Sequence, residues 1–286
     1  MNILITGSKG QLGSEIKELS KNYKNFDFIF TDYEELDITS RDDLKVFFEN
    51  NTVDYIVNCA AYTAVDLAEK EEVKAFKLNA YAVKNIVEFA QKYNSKFITV
   101  STDYVFDGQA TKPYTTDFVT NPKSSYGRSK ELGEKFALEY SKTVIIRTSW
   151  LYSTFGNNFV KTMLRLGKER DELGIVSDQI GSPTYAKDLA KAILDIIKFS
   201  EKDKFIPGIY HYANKGAISW YDFTKKIFEI ENINCKLNAI TTADYPTPAK
   251  RPAYSVFDTS KIAETYNADI PNWDISLKEC LSRVCL

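Results

Sequence analysis

The sequence predicts an α/β protein in which a doubly wound parallel sheet is joined by a smaller mixed α/β unit. Over the first half of the chain, short apolar runs alternate with longer helical stretches, which is typical of parallel sheets assembled from β-α-β units. From about Trp150 the alternation weakens, so the second half is predicted to be mixed. A length of 286 residues is enough to bury the core that such a sheet needs.

The predicted strands are short and rich in β-branched and aromatic residues, which suit a pleated sheet. The first has the sequence NILIT and the third YIVNC. Nearly continuous apolar runs of this kind predict strands that are covered on both faces. In chain order the predicted strands are residues 2–6, 27–31, 55–59, 97–101, 143–147 and 208–212.

The predicted helices follow from apolar residues at helical spacing. Residues 73–93 illustrate the pattern, because Phe76, Val83 and Val87 fall on one face of a helix. Residues 244–254 contain three prolines and are predicted to form a structured loop. The predicted helices are residues 10–23, 40–50, 73–93, 125–140, 158–168, 185–199, 220–231 and 274–284.

The charge balance argues against a nucleic acid or an anionic membrane as the chief partner. The chain has 37 Lys plus Arg against 39 Asp plus Glu, a formal net charge of −2, so it lacks the basic surplus that attracts such partners. Its apolar runs are shorter than the roughly 18 residues of a transmembrane candidate, and its first residues, MNILITG, do not resemble a secretory signal. We expect a cytoplasmic protein with a small-molecule substrate.

The cysteines and histidine offer little material for metal or nucleophilic chemistry. The four cysteines show no CxxC spacing, and the chain has one histidine, His211, so we expect neither a His-containing zinc site nor a His general base. Buried or idle thiols are the expected state of the cysteines. A redox pair between Cys280 and Cys285 is the alternative for the C-terminal segment.

A glycine-rich turn directly follows the first strand and opens the first helix. Glycines at positions 7, 10 and 13 permit a tight turn and let the backbone approach a pyrophosphate at the positive helix N-terminus. Asp32 ends the second strand 19 residues after Gly13, where a carboxylate can accept hydrogen bonds from an adenosine ribose. The predicted dinucleotide-binding residues of this segment are Gly7, Lys9, Gly10, Gln11, Leu12, Gly13 and Asp32.

The domain organisation is predicted from this motif and from the alternation of strands and helices. Residues 1–149, with a later return over roughly residues 181–212, are predicted to form a Rossmann-like dinucleotide-binding domain. Residues 150–180 and 213–286 are predicted to form a smaller substrate-binding domain.

Three further motifs occur in order and resemble those of the short-chain dehydrogenase/reductase group. The third strand leads into the small-residue segment 58–63, the fourth ends at Ser101 and Thr102, and the Tyr126-x-x-x-Lys130 motif begins 24 residues beyond Thr102. The resemblance implies further cofactor contacts at Asp37, Ile38, Ala60, Ala61, Tyr62, Asn79, Ser101, Tyr126 and Lys130.

The spacing of Tyr126 and Lys130 has a chemical reason. Residues four apart share one face of a helix, so the Lys130 ammonium can lie near the Tyr126 phenol. A nearby positive charge favours the ionised phenol, so we expect Lys130 to lower the pKa of Tyr126 toward neutrality. The Thr102 hydroxyl would orient a substrate carbonyl and stabilise charge on its oxygen. Thr102, Tyr126 and Lys130 are therefore the candidate catalytic residues.

Six segments that span much of the chain resemble the dTDP-4-dehydrorhamnose reductase family. They are STDYVFDG from Ser101, YGRSK from Tyr126, RTSWLY from Arg147, NNFVKTML from Asn157, DQIGSPT from Asp178 and YPTPAKRP from Tyr245. The resemblance implies that NADPH or NADH reduces the 4-keto group of dTDP-4-dehydro-L-rhamnose, with Tyr126 as the proton donor and Lys130 on the nicotinamide ribose. The substrate contacts that it implies are Thr102, Asp103, Tyr104, Trp150, Asn157, Asn158 and Arg251.

Several of these residues have a structural alternative. Trp150 could be a core aromatic that follows a strand rather than a ring that packs on the sugar. Arg251 could pair with the diphosphate bidentately or be an ordinary surface residue. Asn157 and Asn158 could contact substrate or cap the helix that begins at Phe159.

Three other functions compete with reduction. A sugar-nucleotide dehydratase would carry Thr-Asp-Glu at the end of the fourth strand, whereas the third position here is Tyr104. A nucleotide-sugar epimerase is excluded only by the specific match to the reductase motifs. A cofactor-binding regulatory subunit, like that of methionine adenosyltransferase, can retain the Tyr and Lys, and the segment around Trp150 favours the enzyme over it.

Two properties of the family bear on metal and cofactor use. Some members dimerise around Mg²⁺ held by Glu residues, and Glu15 matches one position, but Lys187 stands where a second Glu is expected. We therefore predict a metal-independent monomer or homodimer. Asp32 favours NADH, while Lys9 and Arg41 could attract the 2′-phosphate of NADPH, so use of both cofactors is expected.

Overall fold

A computed structural model describes residues 1–202 and 204–284 of the chain. The strands of these residues are β1 (Asn2–Thr6), β2 (Asp27–Phe30), β3 (Tyr55–Asn58), β4 (Lys96–Thr102), β5 (Thr143–Thr148), β6 (Leu151–Tyr152), β7 (Glu172–Val176), β8 (Ile180–Gly181), β9 (Thr184–Tyr185), β10 (Gly208–His211), β11 (Ile218–Ser219) and β12 (Lys236–Ile240).

The helices of the described residues connect these strands. They are α1 (Gln11–Ser20), α2 (Arg41–Asn50), α3 (Val65–Ala68), α4 (Glu72–Phe76), α5 (Ala82–Tyr93), α6 (Ser125–Leu138), α7 (Phe159–Glu169), α8 (Ala186–Lys202), α9 (Trp220–Glu231), α10 (Ser260–Tyr266) and α11 (Trp273–Arg283). Among them, none combines the length and the apolar character that a membrane crossing requires.

The predicted α/β fold class is confirmed by the central sheet. Six strands pair in the order β10-β5-β4-β3-β1-β2, and every pairing is parallel. The strand order reverses between β1 and β3, because the chain moves outward to β2 and then returns to the other side of β1. In open parallel sheets, ligands bind outside the carboxyl ends of the strands at such a switch point.

Apolar layers cover both faces of the sheet. One layer packs Ile16 of α1 and Ile193 of α8 against strand residues such as Ile5. The other packs Leu44 of α2 and Ile86 of α5 on the opposite face. Coverage on both faces explains why the strands carry nearly continuous apolar runs.

A further core lies beyond the central sheet. It gathers apolar residues from α7, β7, α9 and α11, among them Leu164, Leu173, Phe223 and Leu277. Strands β7 and β12 pair in parallel beside it. These two strands and α10 were not predicted from the sequence, whereas α7, α9 and α11 lie within a residue or two of their predicted bounds.

The prediction of one uninterrupted helix over residues 73–93 is wrong in its middle. A π-helical turn, Lys77–Tyr81, separates α4 from α5. This turn places Asn79 in a buried position, where its side chain accepts from the Tyr62 backbone N–H (2.8 Å) and donates to the Tyr62 carbonyl (3.0 Å) and the Ser129 hydroxyl (3.0 Å). Gly133 permits this packing, since a Cβ there would lie 2.1 Å from the Asn79 carbonyl oxygen.

Candidate active site

The residues singled out in the sequence meet at the carboxyl ends of the strands. Gly7 follows β1 and Asp32 follows β2, while Ala60 follows β3, Thr102 ends β4 and Trp150 follows β5. Parallel pairing brings these ends to the same edge of the sheet. The candidate site is therefore built by loops that one rigid sheet positions.

The glycine turn leaves the N-terminus of α1 open. Gly7 has a φ of +64° and a Cβ there would lie 2.6 Å from the Ala60 nitrogen, so only glycine fits this contact between the turn and the end of β3. Gly10 is the residue before α1, and it provides no side-chain cap to the first turn of the helix. The backbone N–H groups of the first turn of α1 are the donors that suit a pyrophosphate.

Acidic groups crowd the end of β2. The two carboxylate oxygens of Asp32 accept from the backbone N–H groups of Lys9 and Tyr33, both at 2.9 Å. The Lys9 ammonium lies 2.6 Å from a Glu34 oxygen and 3.3 Å from a Glu35 oxygen. Two carboxylates thus pair with the Lys9 ammonium, and its contact with a 2′-phosphate stays a prediction.

Arg41 is likewise engaged, since its guanidinium pairs with Glu88. Asp37 accepts from the backbone N–H (2.8 Å) and hydroxyl (2.7 Å) of Thr39, and Ile38 is buried. Their contacts with the cofactor stay predictions.

The end of β4 holds buried polar groups. The Thr102 hydroxyl donates to an Asp103 oxygen at 3.0 Å and accepts from the Tyr104 backbone N–H at 3.3 Å. Burial raises the pKa of Asp103 to about 6, against an opposing hydrogen bond from Thr102. Among the described residues, the Ser101 hydroxyl and the second Asp103 oxygen are buried without a hydrogen-bond partner. Groups of this kind at the carboxyl edge suit a bound polar ligand.

Tyr126 lies in the first turn of α6, with its side chain 9% exposed. Its ring packs edge-on against Tyr104, with the centroids 5.5 Å apart. Burial raises the pKa of Tyr126 to about 12, and the neighbouring Thr102 hydroxyl, as a donor toward the phenol oxygen, opposes this rise. At neutral pH the phenol is therefore protonated, which is the form a proton donor needs.

The expectation that Lys130 brings the pKa of Tyr126 toward neutrality is corrected by this arrangement. The Lys130 ammonium donates to the Val100 carbonyl of β4 at 2.7 Å. Lys130 is itself buried, and burial lowers its pKa to about 8. Desolvation of both groups outweighs the attraction between the ammonium and a phenolate.

The start of α6 is fixed by groups that the sequence analysis missed. Glu69, just after α3, accepts from the Ser125 backbone N–H (2.8 Å) and hydroxyl (3.1 Å). The Ser124 hydroxyl accepts from the Gly127 backbone N–H at 3.1 Å and caps the helix. Together these contacts hold the turn that carries Tyr126.

Trp150 stacks on another indole. Its ring lies 3.4 Å from that of Trp220 with an 8° angle between planes, and its φ of +48° is unusual for a bulky residue. A Cβ at Gly181 would come within 2.5 Å of the indole. The aromatic packing that the sequence left open as an alternative is thus present, and contact with a sugar stays a prediction.

Asn158 caps α7, as one of its two interpretations predicted. Its side-chain oxygen accepts from the Lys161 backbone N–H at 3.1 Å. Its side-chain nitrogen donates to the Ser153 carbonyl at 2.7 Å and to the Gln11 side chain at 3.1 Å. Asn158 therefore ties α7 to the first residue of α1, while Asn157 precedes it as an exposed residue.

Arg251 has a carboxylate partner that the sequence analysis missed. Its guanidinium donates to both oxygens of Asp66 on α3, at 2.9 and 2.7 Å. Asp66 also accepts from the Ala249 backbone N–H at 3.1 Å. The ion pair fastens the proline-rich loop to α3, and contact of Arg251 with a diphosphate stays a prediction.

Glu15 is buried at 0% exposure. It accepts from the Ser153 hydroxyl at 2.7 Å, and the Arg283 guanidinium of α11 lies 3.4 Å from its other oxygen. Lys187 pairs with Glu279. Within the described ranges, His, Cys, Asp and Glu side chains form no group of three that could hold a metal ion.

The histidine and the thiols lie outside the candidate site's chemistry. His211 is buried, with Nδ1 3.0 Å from the Tyr114 carbonyl, and burial lowers its pKa to about 3. Burial raises the pKa of Cys59 and of Cys280 to about 12, so both thiols are protonated at neutral pH. The predicted alternative of a pair between Cys280 and Cys285 lies outside the described residues, which end at residue 284.

Comparison with known proteins decides the family. The family model of the RmlD substrate binding domain matches residues 1–285. The chain belongs to this family. It is 43% identical to a dTDP-4-dehydrorhamnose reductase of Aggregatibacter actinomycetemcomitans, over 96% of this chain and 97% of that protein.

Solved structures of RmlD-family proteins resemble this chain along its whole length. A dTDP-4-dehydrorhamnose reductase from Clostridium acetobutylicum superposes with a TM-score of 0.93 at 43% identity and covers 99% of both chains. One from Bacillus anthracis, in complex with NADP, has a TM-score of 0.93 at 39% identity and covers 98% of both chains. The Rossmann-like fold is thus the fold of the RmlD family.

The residues of the site fit a nicotinamide dinucleotide. The uncapped start of α1 offers backbone donors to a pyrophosphate, and Asp32 stands at the end of the adjacent strand. On the other side of β1, at the end of β4, the buried hydroxyl of Ser101 has no hydrogen-bond partner and the Lys130 ammonium donates to the Val100 carbonyl.

Proposed function

We propose that this protein reduces the 4-keto group of dTDP-4-dehydro-L-rhamnose to give dTDP-L-rhamnose, with NADPH or NADH as the reductant. The observation that carries the proposal is the buried set of Thr102, Tyr126 and Lys130 beside an open helix N-terminus, in a chain of the RmlD family. A relative of nearly equal length, 43% identical to this chain, is named a dTDP-4-dehydrorhamnose reductase.

The reduction adds a hydride to the carbonyl carbon and a proton to the carbonyl oxygen. The reduced nicotinamide, when bound, supplies the hydride. Tyr126 is protonated at neutral pH because burial raises its pKa to about 12, so its hydroxyl gives the proton to the carbonyl oxygen. The Thr102 hydroxyl, which donates to Asp103 in the free protein, turns to donate its proton to the same oxygen as charge develops there. Solvent then returns a proton to Tyr126.

Lys130 has two roles in this proposal. Its ammonium binds the nicotinamide ribose hydroxyls, and its positive charge favours the phenolate of Tyr126 once the proton has left. Fixation by the Val100 carbonyl at 2.7 Å aims the ammonium before any ligand binds. Such preorganisation reduces the cost of orientation during turnover.

The remaining predictions follow the same arrangement. We propose that the unit built on the central sheet, residues 1–149 and roughly 181–212, holds the cofactor. We propose that the unit around the second core, residues 150–180 and 213–286, holds the sugar nucleotide. The proposed substrate contacts beside Thr102 are Asp103, Tyr104, Trp150, Asn157, Asn158 and Arg251. We propose a cytoplasmic location, where nucleotide cofactors and nucleotide sugars are retained.

The test is the fall in absorbance at 340 nm when protein is mixed with dTDP-4-dehydro-L-rhamnose and either NADPH or NADH. We expect consumption that requires both protein and sugar nucleotide. Tyr126→Phe should bind cofactor normally and lose about 10²- to 10⁴-fold in turnover, because only the proton donor is removed.

Tyr140→Phe is the matched control, since Tyr140 is buried just beyond α6 and its hydroxyl donates to the Ser95 carbonyl at 2.9 Å, away from the site. It should keep its turnover. Normal turnover in Tyr126→Phe would contradict the mechanism. Cofactor binding without consumption would favour the regulatory or epimerase alternatives instead.

A further inference from the structure

One face of α6 carries three buried titratable residues in a row. Tyr126, Lys130 and Glu134 follow one another at intervals of four, and their side chains are 9%, 6% and 5% exposed. Residues at this spacing are neighbours on one helix face. Glu134 is therefore the carboxylate one turn beyond the ammonium of the candidate active site.

Glu134 is held by a bidentate ion pair with the central sheet. Arg147 on β5 donates from Nε and Nη2 to the two Glu134 oxygens, at 2.9 and 2.7 Å. Both partners are buried, at 2% and 5% exposure. Arg147 pairs in register with Ser101 of β4, so this contact links α6 to β5, the strand next to the one that ends in Thr102.

The surroundings of Arg147 fix its guanidinium in place. Its Nη1 lies 3.5 Å from His211 Nε2, and its Cζ lies 5.0 Å from the centre of the Phe106 ring. Because these neighbours hold the Arg147 guanidinium, the Glu134 carboxylate that it binds has little freedom to move.

We propose that Glu134 is a positioning residue for the reduction: held by Arg147, it fixes the face of α6 that presents Tyr126 and keeps Lys130 in its ammonium form. The proposal rests on the proposed function for its effect on turnover. Its electrostatic part concerns the protein alone and is tested without substrate.

The electrostatic part follows from burial. An ammonium in a dry site loses its proton easily unless a negative charge is near. Burial lowers the pKa of Lys130 to about 8, and the charge of Glu134 opposes this fall. Without Glu134, we expect Lys130 to lose its proton at a lower pH and to stop binding the ribose and supporting Tyr126 there.

Other charged or titratable groups around this face act differently. Asp103, after β4, has a pKa raised to about 6 by burial. His211 on β10 has its pKa lowered to about 3 by burial, so it is neutral when Lys130 titrates. Arg147 is paired with Glu134 itself, and Glu131, the residue after Lys130, pairs with Lys135. Near pH 8, Glu134 is thus the group whose removal changes the charge beside Lys130.

The experiment is a pH titration of Glu134→Gln against the wild-type protein. The Cε resonance of Lys130 is followed by NMR in cofactor-free protein with ¹³C-labelled lysine and is assigned with Lys130→Arg. The pH profile of kcat/KM is recorded in parallel. We expect the Lys130 pKa, and with it the basic limb of the profile, to fall by about one pH unit in Glu134→Gln.

Two more variants separate charge from folding. Glu134→Gln leaves Arg147 buried without its partner, which destabilises proteins strongly. The double variant Glu134→Leu with Arg147→Met removes both charges and is expected to fold, with a Lys130 pKa between those of wild type and Glu134→Gln. Glu131→Gln also converts a hydrogen-bonded carboxylate of α6 to an amide, and it should leave the titration unchanged.

The outcomes are distinct. An unchanged Lys130 pKa in a folded Glu134 variant overturns the proposal, as does loss of folding in both Glu134 variants, since Glu134 would then be structural alone. A lowered pKa in the variants, with Glu131→Gln like wild type, supports it. Absence of wild-type turnover would contradict the proposed function, while the NMR titration would still decide the state of Lys130.

Discussion

At the residue scale, substitutions of Trp150 and of its stacking partner can distinguish a substrate contact from a packing contact. Its stack on Trp220, at 3.4 Å, is lost equally when either indole is removed. If Trp150 also packs on the sugar, Trp150→Ala should raise KM for the dTDP-sugar about tenfold, the equivalent of ~1.4 kcal/mol for an aromatic contact. Trp220→Ala is the control and should raise it less.

Steady-state kinetics and cofactor titration of both variants check this prediction. Cofactor affinity should stay at the wild-type value in each. Equal effects of the two substitutions would show that the stack itself is what matters. Failure of Trp150→Ala to fold would make the residue structural.

The same scale shows what a motif can and cannot predict. The sequence predicted that Thr102, Tyr126 and Lys130 act together, because their spacing is tied to a strand end and a helix face. It predicted the direction of the Tyr126 shift wrongly, since burial raises that pKa to about 12. Burial depends on residues far along the chain, so no local pattern contains it. Glu134 did have a local signal, its position four residues after Lys130.

At the scale of elements, the proline-rich loop and α3 are joined through one ion pair. Arg251 has to exchange Asp66 for the substrate diphosphate if it binds that group, because both of its η nitrogens donate to Asp66. Asp66→Asn keeps the shape but removes the competing charge. We expect KM for the dTDP-sugar to fall about fivefold, the equivalent of ~1 kcal/mol for a partly exposed pair.

Steady-state kinetics at low and high ionic strength test this prediction. The fall in KM caused by Asp66→Asn should become smaller as salt is added. Arg251→Gln should act in the opposite direction and raise KM. Glu72→Gln serves as the control. It removes the carboxylate that lies 3.0 Å from the Arg128 guanidinium in a surface pair, and it should change neither KM nor the dependence of KM on salt. A rise of KM in Asp66→Asn would instead show that Asp66 positions the loop.

Elements whose apolar residues recur at a regular spacing were predictable from the sequence. Elements that depend on contacts between distant segments of the chain were not. The β-α-β alternation predicted the strands and helices of the central sheet, apart from the short α3 and the π turn at Lys77–Tyr81. That turn exists because Asn79 bonds to Tyr62 and Ser129. Strands β7 and β12 are partly exposed, and their pairing joins segments more than 60 residues apart. Neither the π turn nor the pairing of β7 with β12 follows from a regular spacing of apolar residues in the sequence.

At the scale of the whole molecule, the C-terminal helix meets the first helix at a buried carboxylate. Glu15 of α1 is fully buried, and Arg283 of α11 brings a guanidinium to 3.4 Å from it. Lys187 of α8 pairs with Glu279 of α11 nearby. Two segments, α8 and α11, thus supply the positive charges that a divalent cation would otherwise bring to these acids.

Metal independence of the enzyme is the prediction that follows. A guanidinium and an ammonium repel Mg²⁺ from the same carboxylates, so neither turnover nor assembly should depend on it. We expect the rate of NADPH or NADH oxidation and the sedimentation coefficient to be the same in EDTA and in excess Mg²⁺. A loss of activity in EDTA that Mg²⁺ restores would contradict this. In that case Arg283 must leave Glu15 when the metal binds, and Arg283→Ala would then strengthen the response to Mg²⁺.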